Sequence, residues 1–135
     1  MTLTDAARKL VEGGNPGILA TINPDGSPQT SVVWVGTDGD EVVISTQAGR
    51  RKEVNLLRDP RASLLVIAKD DPDQYVEIRG TATITEDTGR ALAYQLAEHY
   101  EGEGAGQEYL DLPPDVVRTV IRITPSKLTG PAAQP

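Results

Sequence analysis

Ser45, Thr46, Gly49, Arg50, Arg51, Lys52 and Asn55 crowd into one short stretch, EVVISTQAGRRKEVNLLRDP, between Glu41 and Pro60. Hydroxyls and the free amides of a helix start donate to phosphate oxygens, while a guanidinium and an ammonium neutralise their charge. These residues therefore have the makings of an anion cradle. Cations at a helix start oppose the helix dipole, so a merely solvated helix end explains them less well than a bound anion does. Arg50 and Lys52 stand two apart and would splay on a regular helix. They converge only if Arg50 lies before or within the first turn, where the Gly49 break puts it. Arg51 then points to solvent or to a longer anionic tail.

The rest of the chain sharpens the contrast. Its 135 residues carry a net charge of −7, yet five of its 13 Lys and Arg residues fall between Arg50 and Arg61. Concentrated positive charge on an acidic chain suits a small anionic ligand, whereas nucleic acid demands an extended basic surface. There is no cysteine and only one histidine, His99. Thiol nucleophiles, thiolate metal sites and disulfides are excluded, and a histidine-based metal site or a Ser-His triad is disfavoured. His99 reads as a surface polar residue. The N-terminus lacks a signal-peptide apolar region, and the longest apolar run, Leu64 to Ala68, is far shorter than a membrane span. A soluble, cytoplasmic protein without membrane or nucleic-acid partners is expected. With no Phe in the chain, its core must be aliphatic; the single Trp34 reads first as a core or interface residue and second as a platform for a bound ring.

One domain is expected over residues 1–128, with a tail at 129–135. Leu3 to Glu12 is a helix capped by Thr4 and ended by Gly13-Gly14. Gly17 to Ile22 and Gln29 to Val35 form a hairpin about Asn23-Pro24-Asp25-Gly26, and Gly36 to Asp40 turns the chain into a third strand, Glu41 to Thr46. A helix from Arg50 to Leu57 turns Val54, Leu57 and Leu56 inward and stops at Asp59-Pro60. Arg61 to Lys69 is a nearly continuous apolar strand, Asp70 to Asp73 an acidic loop, and Tyr75 to Thr85 a long alternating strand. Thr85 to Thr88 caps a helix reaching Tyr100. Val117 to Ile123 is the last strand, and Thr124 to Pro135 trails off. The pattern predicts a mainly β (α+β) fold, a small six-stranded antiparallel barrel with helices at its openings.

This order of elements, with the blocks Gly17-Ile18-Leu19-Ala20-Thr21, Asp25-Gly26-Ser27-Pro28, Ser45-Thr46 to Asn55-Leu56, Arg58 to Ala62 and Tyr75 to Gly80, resembles the pyridoxamine 5'-phosphate oxidase-like split β-barrel superfamily. Its nearest likeness is to the actinobacterial branch that uses the deazaflavin coenzyme F420. The resemblance implies a homodimer with two cofactor sites at the subunit interface. It implies that Arg50 and Lys52 hold the coenzyme phosphate, that Ser45, Thr46 and Asn55 add hydrogen bonds, and that the Gln29 to Val33 strand, through Gln29, Ser31 and Val33, lies against the ring. Tyr75 or Arg79 would approach from the partner chain.

A chain without metal site or thiol must borrow a cofactor for electron transfer. Coenzyme F420 and FMN both end their ribityl chain in phosphate, but the lactyl-oligoglutamate tail of F420 favours spare cations, and Arg51, Arg58 and Arg61 could supply them. Three readings follow: a reductase passing hydride from reduced F420 to a small unsaturated or conjugated substrate, an FMN-dependent oxidoreductase, and a non-enzymatic coenzyme-binding or storage protein. No side chain stands out as a catalytic acid.

Overall fold

The computed structural model describes all of residues 1–135. Seven antiparallel strands form one sheet in the order β2-β1-β5-β6-β7-β4-β3. They are β1 (Gly17–Ile22), β2 (Pro28–Val33), β3 (Val35–Asp38), β4 (Glu41–Gln47), β5 (Arg61–Ala68), β6 (Asp71–Glu86) and β7 (Arg118–Thr129). Four helices flank the sheet: α1 (Asp5–Glu12), α2 (Arg51–Arg58), α3 (Ala91–Glu101) and α4 (Gln107–Leu110).

β2 and β3 occupy opposite edges of this sheet, yet only Trp34 separates them in the chain. One residue cannot span a flat sheet of seven strands at nearly 5 Å spacing, so the sheet must curl until its edges meet. This is also why seven strands stand where the sequence pattern predicts six. The run expected as a single strand to Val35 pairs with β1 as far as Val33, then changes partner and pairs with β4 from Val35 to Asp38.

The enclosed core is aliphatic as expected, with Leu19, Ile44, Leu64, Ile78, Ile121 and Ile123 fully buried. Thr4 caps α1 by accepting from Ala7 N at 3.0 Å. Asp87 serves α3, its carboxylate accepting from Leu92 N and Ala93 N at 3.0 and 2.9 Å across a short 3-10 turn. β6 runs 16 residues and pairs with β5 and β7 along its length. At its bulge Gly80 approaches β7 so closely that a Cβ would stand 2.1 Å from Thr124 O, an approach only glycine permits.

Three local expectations are corrected. The acidic loop is shorter than expected, because β6 already begins at Asp71, paired with Ala68. The stretch after Ile123 is not a trailing end: β7 continues to Thr129 against Glu77–Thr81, and a 3-10 turn at Pro131–Ala133 tucks Ala132 into the core. On α2, Leu56 is buried, but Val54 and Leu57 remain 41% and 67% exposed. The inward positions are taken by Glu53 and Asn55, polar residues with hydrogen-bond partners inside the fold, and apolarity alone misjudged the face.

Candidate functional site

β4 alternates strictly at its C-terminal end. Ile44 and Thr46 face the barrel interior, and Ser45 and Gln47 face out. The chain then breaks at Gly49, whose φ of +92° favours glycine. Arg50 follows in extended conformation, φ −65° and ψ 153°, as the residue preceding α2. Its side chain does not cap the helix. It is free to join Lys52, which the helix then presents to the same hollow.

That hollow is a cleft of about 320 Å³. It is lined by Ser45, Thr46, Gln47, Arg50 and Lys52, by Val32, Val33 and Trp34, and by Ala93, Tyr109 and Arg118. The cradle inferred from the sequence is therefore a real concavity, and Arg50 and Lys52 do converge. Burial, then the positive charges of Arg50 and Arg118, hold the Lys52 ammonium below its usual pKa. Like charges gathered in a partly desolvated cleft await a counter-ion.

Arg118 is the residue that sequence reasoning missed. It opens β7, opposite Gln47 in the ladder with β4, and donates from Nη2 to Ser45 Oγ at 2.8 Å. Its guanidinium lies 5.1 Å from the centroid of the Tyr109 ring, and its Nε is buried without a hydrogen-bond partner. The available signal was an arginine at the start of a strand paired to β4, which becomes visible only once the β4–β7 pairing is known.

The other predicted residues are placed differently. Asn55 is wholly buried, and its Nδ2 donates to Thr21 Oγ1 at 3.0 Å and Asn23 Oδ1 at 3.1 Å. It ties α2 to the β1–β2 hairpin. Gln29 accepts from Thr21 Oγ1 at 2.9 Å, extending that network. Ser31 shares a face of β2 with Gln29 and Val33, and its Oγ is buried without a partner. Of these three, only Val33 lines the cleft. Tyr75 and Arg79 lie outside it on β6, and Arg79 Nε pairs with Glu77 at 3.0 Å.

The spare cations also separate. Arg61 is held by Asp59 at 2.7 Å, a pairing that lowers the Asp59 carboxyl to about 2. Arg58 donates to Ile22 O and to Asn55 Oδ1. Arg51 is exposed and makes neither hydrogen bond nor ion pair.

Trp34 lines the cleft and stacks on Tyr100, ring centroids 5.4 Å apart and planes 15° from parallel. Tyr100 OH in turn donates to Asn15 O at 2.7 Å and accepts from Val35 N at 3.0 Å, fixing the point where the chain crosses between sheet edges. A larger hollow, about 490 Å³, lies beside α3 and includes His99, Val43, Leu96 and Arg122. It offers no free cation: Arg122 Nη1 is 2.7 Å from Asp38 and 3.5 Å from Glu41. His99 Nε2 lies 2.8 Å from Glu12 O. Of the two, the smaller cleft is the one that gathers Arg50, Lys52 and Arg118.

No helix is long and apolar enough to cross a membrane, and no cluster of three or more His, Asp or Glu residues is placed to hold a metal ion.

Comparison with known proteins agrees with this architecture. A structure named F420 reductase superposes with a TM-score of 0.75 at 28% identity, over 90% of this chain and 94% of its own. A conserved hypothetical protein from Mycobacterium tuberculosis does so at 0.70 and 29%, over 90% of this chain and 79% of its own. A putative pyridoxamine 5'-phosphate oxidase from Listeria innocua shares the fold at 0.63 and 20%, over 89% and 90%. The family profile described as pyridoxamine 5'-phosphate oxidase matches residues 3–130. Seven curled strands, the cation-lined cleft after the fourth, and this match over nearly the whole chain place the protein in the pyridoxamine 5'-phosphate oxidase family.

Proposed function

We propose that the protein is a coenzyme F420-dependent reductase that passes a hydride to a small unsaturated or conjugated substrate. The observation that carries this reading is the convergence of Arg50, Lys52, Arg118 and Ser45 on one cleft walled by Val32, Val33 and Trp34. Cations and a hydroxyl suit a terminal phosphate, and an apolar wall with an indole suits a flat ring. Arg118, which lines the same cleft and gives only one of its donors to Ser45, adds a further cation for the phosphate. Similarity to a protein named F420 reductase supports the deazaflavin over FMN.

The coenzyme, when bound, supplies the hydride chemistry. The chain's own part is to bind and orient. Arg50 and Lys52 hold the phosphate, Ser45 donates to it, and β2 with Trp34 borders the ring and limits water. Exposed Arg51 is available to the anionic tail.

The protein works in this reading as a homodimer. Val32, next to the cleft on edge strand β2, is 75% exposed, and Leu57 on α2 is 67% exposed. A second copy would cover such apolar surface and complete the ring site, with Tyr75 or Arg79 as the residues it brings. Light scattering should give twice the monomer mass. A monomer that binds coenzyme fully would remove the shared site.

Activity is tested by anaerobic turnover with reduced F420 against a panel of enones, quinones and tetrapyrroles, with reduced FMN run in parallel. Acceptor-dependent oxidation of reduced F420 is expected. Turnover with FMN alone would assign the other ring system, and coenzyme binding with no acceptor consumed would indicate a storage protein.

A further inference from the structure

Arg90 is the only non-glycine residue with positive φ, at 56° with ψ 32°. Such a backbone persists where surrounding contacts over-determine it. Here the contacts are those of its own side chain. Nη1 donates to the carbonyls of Tyr109, Leu110 and Leu112 at 3.2, 3.4 and 2.6 Å, and Nη2 to those of Pro113 and Val116 at 2.6 and 3.0 Å. One guanidinium thus gathers the strap that joins α3 to β7. The strap is pinned at its other end by Glu98, which accepts from Gly106 N at 2.6 Å.

Pinned this way, the strap sets the Tyr109 ring beside the Arg118 guanidinium, within the range of a cation–π contact. Ser45 Oγ accepts from Nη2 at 2.8 Å. Nε is buried and unpartnered. Asp87, the acid whose charge reaches Arg118, is engaged in capping α3. The Arg118 side chain lines a cleft that also gathers Arg50 and Lys52, and its enclosed Nε–H, with no partner in the chain, reports on how the guanidinium is held.

We propose that Arg118 is the third cation of the cleft, donating to an oxygen of a bound phosphoryl group, and that Arg90 is the positioning residue that aims it by clamping the Tyr109 strap. The proposal deepens the reading of the cleft as a coenzyme phosphate site but stands on anion binding alone. A planar fork already held by a hydroxyl and an aromatic ring loses little freedom when it captures a tetrahedral anion. Arg118→Lys would retain the charge and lose the planar fork.

The test uses the full-length protein and pyrophosphate, with Trp34 fluorescence and the Arg118 Nε–H resonance as readouts, and chloride at equal ionic strength as control. The Nε–H resonance should shift with pyrophosphate and not with chloride. Arg118→Ala should weaken pyrophosphate binding by roughly ten- to a hundredfold, the range of a charge-assisted hydrogen bond, and Arg118→Lys should recover only part of it. Arg90→Lys should weaken binding severalfold in the wild-type background and not at all in the Arg118→Ala background, because it acts through Arg118.

An unmoved Nε–H at saturating pyrophosphate, or unchanged affinity in Arg118→Ala, overturns the assignment. Equal losses from Arg90→Lys in both backgrounds overturn its positioning role, and unfolding of that variant is guarded against by Tyr109→Leu, which must show the same dependence on Arg118. Coenzyme titration separates the two readings. If F420 binding survives Arg118→Ala but not Lys52→Ala, the coenzyme site stands and Arg118 is dismissed. If pyrophosphate shifts Arg118 while neither F420 nor FMN binds, the phosphoryl contact stands and the redox reading falls.

Discussion

The Glu53 carboxylate accepts a hydrogen bond from Gly49 N at 2.8 Å. The same side chain, 6% exposed, takes a second from Thr119 Oγ1 at 3.1 Å. A buried acid in the first turn of α2 thus reaches back past Arg50 to the glycine that turns the chain, and across to β7 beside Arg118. Arg50, which lines the cleft, lies between Gly49 and Glu53, the two residues joined by the first of these hydrogen bonds.

Removal of this link should cost both stability and binding. Glu53→Ala leaves Gly49 N without its acceptor and Thr119 Oγ1 with only the longer contact to Thr46 O at 3.5 Å, a loss of about 1.5–3 kcal/mol by the usual scale for hydrogen bonds to charged groups. Glu53→Gln keeps one acceptor oxygen and should lose less. Urea unfolding gives the first quantity and coenzyme titration the second. Full stability in Glu53→Ala would show that the link contributes nothing to the fold.

Asn55 should behave as a structural residue. Its contacts with Thr21, Asn23 and Arg58 lie within the fold. Asn55→Ala is expected to destabilise by about 1–3 kcal/mol, the cost of unsatisfied buried partners. Coenzyme affinity measured well below the unfolding transition should change little. A large affinity loss with intact stability would return Asn55 to the ligand.

Lys52 should trade stability against binding. Its folded pKa is depressed by burial and by Arg50 and Arg118, so the native state holds this proton less tightly than the unfolded chain. The unfavourable contribution is present while both states are charged and is relieved as pH rises through the depressed value. A bound phosphate favours the ammonium, so affinity should fall over that same rise, at lower pH than for a free lysine. Lys52→Met is therefore expected to hold or raise Tm at pH 7 while weakening the ligand. A Tm lowered by several degrees would contradict it.

Arg51 should distinguish the two coenzymes. It is exposed and unpaired, whereas Arg58 and Arg61 are held by local partners. Arg51→Ala should weaken F420, which bears an anionic tail, by a few-fold and leave FMN unchanged. The difference should shrink as salt screens an exposed pair. Equal effects on both would place Arg51 at the shared phosphate.

How much of this was legible beforehand follows from the range of each interaction. Gly49, Arg50 and Lys52 are neighbours in the chain, so their convergence depended on one local break and could be read. Arg118 joins them through the β4–β7 ladder, 73 residues from its partner Ser45, and no local pattern announces such a pairing. The curled mainly β architecture was legible from alternation and turns. The change of partner at Trp34 was not, because a strand looks the same on either side of the crossing. Val54 and Leu57 misled because apolarity signals burial without saying whether the burying surface belongs to this chain. Glu53 and Asn55 took the inward face because each finds partners there.

In the proposed function, Arg50, Lys52 and their neighbours grip a phosphorylated redox coenzyme. The most direct test is equilibrium titration of wild type and Lys52→Ala with F420 and FMN, followed by Trp34 fluorescence. Wild type should bind F420 saturably, and Lys52→Ala should bind it more weakly by about 1.5–3 kcal/mol, the scale of a charge-assisted hydrogen bond. No response to either coenzyme at high micromolar concentration, or identical curves for the two proteins, would contradict it.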